Sequence, residues 1–185
     1  IGSRREILTH FDELPEPIQA ELYNRKLRFG DCELYSIKKL GPGTTIKLFE
    51  TQDDKRVGIR NVSNAKLPKN QAFLVSGISL LAGVANAATP GNPTDDEIMA
   101  IEFGSIGVAN FGALANGEHN FKANKVQIVP ESSNRAFVTD NDHSVKIGYS
   151  KLHNPRLVDA DVLVEFVLEL ATTYNIPQDA YVMVV

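Results

Sequence analysis

Tryptophan is absent from this 185-residue chain, and cysteine occurs only once. A lone Cys32 rules out a disulfide within the chain, so cysteine usage carries no information on redox compartment. As a small apolar side chain, Cys32 is expected to lie buried in a strand. The missing Trp, with only five Tyr, removes most of the aromatic platforms on which sugar-binding clefts are built. That weakens both a glycosidase and a carbohydrate-binding module. Long apolar runs are missing too, and no charged-then-apolar leader is visible. The chain is therefore expected neither to span a membrane nor to carry an export signal. Nor is there an excess of positive charge: 19 Lys and Arg stand against 23 Asp and Glu, a net charge of -4. A protein that coats nucleic acid has the opposite balance, so direct nucleic-acid binding is not expected.

The motifs of familiar chemistry are also missing. His10, His119, His143 and His153 form no HxH or HxxxH pair, so a zinc or iron site would have to be gathered from distant loops. Asp140-Asn141-Asp142 resembles the start of an oxygen-rich calcium loop. Counted from Asp140, however, Val145 and Lys151 stand where the Gly and Glu of that loop belong. Acidic turns of this kind are normally turn formers, and a looser calcium site at a subunit contact is a minor alternative. No GxSxG elbow, phosphate-cradling glycine loop or dinucleotide fingerprint occurs, and Gly41-Pro42-Gly43 lacks the Lys and Ser/Thr that phosphate binding needs. Paired carboxylates for a small hydrolase are available among 23 acids but are not singled out by any pattern. No catalytic, cofactor-binding or metal-ligating residue is assigned, no cofactor is expected, and the chain is read as a non-enzyme.

What is present is a mixture suited to one folded domain. Apolar residues make up 43% and charged residues 23%, enough for a core and too well mixed in sign for disorder by composition. The chain begins at Ile1 and stops inside the apolar run Tyr181-Val182-Met183-Val184-Val185, so the natural chain is expected to continue or to have been trimmed.

Residues 1–30 read as an arm. A turn-rich stretch, Phe11 to Pro17, precedes helical spacing from Ile18 to Lys26, with Arg25 and Lys26 in the last turn and Gly30 ending the element. Residues 31–185 carry the punctuation of strands. Cys32–Leu40 and Thr44–Thr51 flank Gly41-Pro42-Gly43, and Val57 and Ile59 alternate with Arg56 and Arg60. Ala72–Gly83 is apolar on both faces, as a central strand would be. Val145, Ile147 and Tyr149 alternate with Lys146 and Gly148. Asn116-Gly117 predicts a tight hairpin between Phe111–Ala115 and Glu118–Phe121, because that pair supplies positive φ angles. Lys125–Val129, closed by Pro130, and Arg135–Thr139 follow as further strands.

Thr94-Asp95-Asp96-Glu97 has the form of a capping box and predicts a short helix through Phe103. Asp161–Leu170 fits a helix or a strand, and its β surroundings favour strand. Ala85–Pro93 reads as an exposed loop longer than a hairpin needs. Arg156, after Asn154-Pro155, is either an interface arginine or a loop arginine paired to Asp159 or Asp161, the latter preferred.

The expected fold class is thus mainly β, an antiparallel β-sandwich with a short N-terminal helix or arm. Three stretches carry a family resemblance: Leu67–Val75, the Asn116-Gly117 turn, and the run from Asn154-Pro155-Arg156 through Asn175–Asp179 to Ala180–Val185. With about eight strands over residues 31–185, the chain resembles the single jelly-roll capsid proteins of tailless bacteriophages. The resemblance implies a virion structural protein that self-assembles with copies of itself and with other virion proteins. The arm at 1–30 and the loop Ala85–Pro93 would then be the contact elements. The alternatives are a ligand- or carbohydrate-binding β-sandwich and, behind it, a small hydrolase.

Overall fold

Alternation of apolar and polar side chains along its strands builds this chain around two antiparallel sheets. The computed structural model describes residues 8–26, 30–69, 71–107, 109–139, 146–173 and 175–185. In chain order the strands are β1 (Ser36–Lys39), β2 (Thr45–Lys47), β3 (Phe73–Val84), β4 (Gly104–Ser105), β5 (Glu118–Ala123), β6 (Val126–Ser133), β7 (Tyr149–Val158), β8 (Val164–Glu169) and β9 (Ala180–Val184). Three short α-helices lie wholly within the described residues: α1 (Glu16–Tyr23), α2 (Asp95–Met99) and α3 (Gly112–Ala115).

One sheet runs β1-β9-β3, with β7 and the two-residue β4 both hydrogen-bonded along β3. The other runs β2-β8-β5-β6. Consecutive strands repeatedly cross from one sheet to the other, and the resulting orders 1-9-3-7 and 2-8-5-6 are those of two interleaved Greek keys. This is a jelly-roll β-sandwich.

Period-two alternation builds the core. Ile78, Leu80 and Ala82 of β3 and Ala180, Val182 and Val184 of β9 face Phe121 of β5 and Val164, Phe166 and Leu168 of β8 in one buried cluster. A second, smaller cluster lies on the other face of β9, where Tyr181 packs with Ile37, Ile59, Ala85 and Ile101. That outer cover explains why the sequence of β3 and β9 is apolar on both faces. The sheets are also tied at one edge, where the buried Ser36 hydroxyl donates to the Leu48 carbonyl at 2.5 Å.

Several expectations are corrected by the fold. No hairpin forms at Asn116-Gly117: Phe111–Ala115 coils into a 3₁₀ turn and α3, and Asn116 sits at φ -89° as its C-cap. The hairpin turn lies instead at Asn124-Lys125, with φ 48° and 66°, between the paired residues Ala123 and Val126. A two-residue turn with both angles positive matches the strand twist, which is why Asn does there what Asn-Gly was expected to do eight residues earlier. Residues 56–60 form a turn rather than a strand: Arg56 and Arg60 pair across it, and Val57 stands 80% exposed. Arg135–Thr139 is replaced by a 3₁₀ turn at Asn134–Phe137, whose Asn134 and Phe137 are buried. Pro130 does not close a strand but sits within β6, an edge strand that tolerates the missing N–H.

Cys32 is exposed and precedes β1, contrary to the buried strand position expected of it. Helix α1 ends at Tyr23, so Arg25 and Lys26 lie beyond it, and Arg25 adopts φ 57°. The capping box at Thr94 forms on both sides, but α2 stops at Met99. Asp161–Leu170 is a strand over its second half, and Ile147 belongs to the turn that leads into β7. Strand β7 runs straight through Asn154-Pro155, with an irregular register between the Val75–Arg156 and Gly77–Lys151 pairs. Val145, His143 and Asp140-Asn141-Asp142 lie outside the described residues.

Candidate functional site

The inner face of β5 carries an imidazole where the pattern calls for a hydrocarbon. His119 alternates with Phe121 and is 4% exposed. Its ring lies 5.8 Å from Phe166, nearly parallel at 13°, and 4.8 Å from Phe137 at 56°. Its Nδ1 is 3.0 Å from Oδ1 of Asn134, which is fully buried. The Asn134 Nδ2 donates to the Leu114 carbonyl at 2.8 Å, and its backbone N–H donates to the Gly117 carbonyl at 2.9 Å. One asparagine thereby joins α3, the turn after it, β5 and the 3₁₀ turn. Burial pushes the His119 pKa below the ordinary value, while hydrogen bonding to Asn134 and to the Ser132 backbone works in the other direction.

A second constellation clamps the long connection after β3. The Asp179 carboxylate accepts from the Gly91 N–H at 2.9 and 3.1 Å and from Lys39 Nζ at 3.0 Å, and Lys39 also donates to the Gly91 carbonyl. Gly91 has φ 88°, a left-handed angle that favours glycine. Glu97 of the capping box accepts from the Ala88 N–H at 2.7 Å. The stretch Ala85–Pro93 is therefore fastened at two points, while Asn86, Ala88, Thr89, Pro90 and Asn92 remain exposed. The Gly91 N–H and Lys39 together hold the Asp179 pKa below the usual carboxylate range. The folded pKa is the lower one, so this stability is complete above about pH 4, the unfolded value, and is lost as pH falls through the folded value. Asp179→Asn is expected to flatten the acid limb of a pH–Tm profile relative to wild type; parallel limbs below pH 4 would contradict the clamp.

A third group is ionic. Lys38 Nζ lies 2.6 Å from Asp53 and 3.0 Å from Glu50, and Arg60 lies 2.9 Å from Asp53. These side chains are less than a third exposed, and they tie the 50–60 segment to β1. Arg56 also pairs with Asp95 of α2. Beside this network, a half-open groove of about 360 Å³ lies between the outer face of β2 and β8 and the same segment. Phe49, Ala65, Leu163 and Val167 form its apolar part, and Lys47, Glu50, Gln52 and Glu165 its polar part.

None of these groups is a recognisable catalytic arrangement. Among the described residues, no three His, Cys, Asp or Glu side chains approach as a metal site would require. Also among them, no helix is long and apolar enough to cross a membrane. His10 bonds Glu13 at 3.1 Å in the arm, and His153 is exposed on β7. Arg156 is exposed on β7 as well, and Asp161 pairs with Lys66 at 3.8 Å. No local pattern marks Asn134 or Asp179, because each draws its partners from far along the chain, whereas Asp53 stands out in sequence as half of the acidic pair Asp53-Asp54. The position of His119, two residues before Phe121 on an inward-facing alternation, also carried a signal.

The class these observations define is a jelly-roll sandwich with a buried His119–Asn134 hydrogen bond and no assembled catalytic centre among the described residues. Comparison with known proteins adds no family: no family model matches the sequence, and no curated protein matches it.

Proposed function

We propose that this chain is a virion structural protein, a capsid subunit of the tailless-bacteriophage kind, that assembles with copies of itself into a shell. The observation that carries the reading is the strand order 1-9-3-7 over 2-8-5-6. A jelly roll closes two sheets over a core and leaves its connections free for lateral contacts. The acidic balance of the chain suits a shell wall better than a genome-condensing role. In this reading the protein works without a cofactor and has no catalytic activity. Its place is the virion, and its partners are further copies and other virion proteins. Residues 1–30 and the exposed part of Ala85–Pro93 make the contacts.

The test is particle size by light scattering, followed by negative-stain electron microscopy, on the intact protein and on a chain lacking residues 1–30. The intact protein is expected to give uniform rings, sheets or closed particles. The shortened one is expected to stay monomeric with an unchanged β circular-dichroism spectrum. A monomer at every salt and protein concentration, alone and with the other virion proteins, would overturn the reading.

The groove beside Phe49 favours a second reading, a ligand-binding sandwich, since its volume falls within the range of small-ligand sites. A glycan array on the monomeric protein, with Glu165→Ala as control, separates the two.

A further inference from the structure

The corner built by α3, β5 and the 3₁₀ turn at Asn134–Phe137 is held by a titratable group, the buried imidazole of His119. Its hydrogen bonding fixes the tautomer. Asn134 Nδ2 donates to the Leu114 carbonyl, so its Oδ1 is the acceptor toward His119, and the imidazole proton sits on Nδ1. The neutral ring suits its position between Phe137 and Phe166. An imidazolium would place a full charge inside the sandwich, away from water. Among the described residues, no charged side chain acts on the ring to offset it. From β5 the neighbour is Phe121, from β8 Phe166 and Leu168, from β6 the Ser132 backbone, from the 3₁₀ turn Asn134 and Phe137, and from α3 Leu114. The nearest carboxylates in the register, Glu118 and Glu169, are exposed and alternate to the opposite face.

The corner is fastened as well by the pairing of Glu118 and His119 with β6 and β8 and by the buried side chains of Leu114 and Phe137. Asn116 Oδ1 accepts from Arg135 Nε at 3.1 Å and from its Nη2 at 2.6 Å on the exposed side. The Ala171 N–H reaches the Ala113 carbonyl at 3.4 Å. The opposite sheet, which carries no buried imidazole, is held by the long pairing of β3 with β9 and β7.

We propose that His119 is an acid-sensitive latch: protonation of its ring releases the corner at 112–119 and 132–137 while the β1-β9-β3 sheet stays folded. The latch is a property of this chain and does not depend on the shell reading. Its sign follows from the burial that disfavours the charged ring. The unfolded or opened chain takes up the proton at about pH 6.5, whereas the closed corner takes it up only at lower pH. Closure is therefore complete above about pH 6.5, and its equilibrium constant falls by up to tenfold per pH unit below it.

Hydrogen–deuterium exchange at pH 7.5 and 5.5, corrected for the intrinsic rate, tests this directly. Wild type is expected to gain exchange at pH 5.5 in 112–119 and 132–137 by a factor of about ten relative to β3 and β9. His119→Gln keeps an amide N–H for Asn134 and carries no titrating ring, and it should show no such gain. Equal pH responses in wild type and His119→Gln would overturn the latch, as would a gain spread evenly over both sheets. Should His119→Gln not fold, the histidine proton resonances of wild type decide: a His119 titration at or above pH 6.5 refutes the proposal, and one displaced below it supports it.

Discussion

Gly117→Ala is expected to destabilise the protein by about 3 kcal/mol or more, the upper end of what overpacking a filled site costs. The added methyl would lie well inside van der Waals contact with the Glu169 carbonyl and 3.2 Å from Asn134 Nδ2. The first neighbour is backbone at the end of β8 and cannot swing aside. The second is the amide that holds Leu114 and His119, so the strain enters the latch itself. Denaturant unfolding checks this, with Gly112→Ala as the companion. Gly112 has open space around it within α3, and alanine there is expected to be neutral or slightly stabilising. If both variants unfold at the wild-type midpoint, the tight approach of β5 to β8 at this point is wrong.

Phe166→Ala should cost about 3–5 kcal/mol, the range for emptying a large aromatic site in a packed core. Phe166 is 1% exposed, and its ring lies 6.1 Å from Phe121 and 5.8 Å from His119. Its removal would open a cavity at the centre of the second sheet and take away one wall of the imidazole site. For a chain of this length the loss corresponds to a Tm decrease of roughly 6–20 °C. Val126→Ala, at a site 63% exposed on β6, should change stability by less than about 0.5 kcal/mol. A Phe166→Ala protein melting within a degree or two of wild type would refute the core assignment.

The two substitutions act on the same corner by different means, one by overfilling and one by emptying. Their effects should therefore not add, because both disturb the seat of His119. A double variant measured beside the singles would reveal that coupling as a departure from the sum.

Local pattern was legible wherever the physics is local. The alternation in the second half of Asp161–Leu170 reads directly as β8, since every second side chain must face the core, and the apolar run Ala180–Val185 reads as β9. The apolar run Ala72–Gly83 reads as a central strand because both its faces are covered, and β3 fills that place. The capping box at Thr94 is complete within four residues and needs no partner from elsewhere.

Reading failed where the deciding contact came from a distance. Asn116-Gly117 has hairpin chemistry, yet Gly117 is there for the Glu169 carbonyl that comes against it from β8. Arg56–Arg60 alternates like a strand, but Arg60 turns toward Asp53 and Arg56 toward Asp95. The hydrogen-bonding side chains that meet His119 and Asp179 come from 15 and 140 residues away.

The sequence by itself thus determined the class of the fold and the positions of β3, β8 and β9, because burial on one face or two imposes a period that residues carry individually. Tertiary structure alone decided the strand order, the seating of His119 between two phenylalanines, and the clamp of Asp179 on Gly91. Those depend on which distant segments meet, and a hydrogen bond or a close approach across the sandwich leaves no period along the chain.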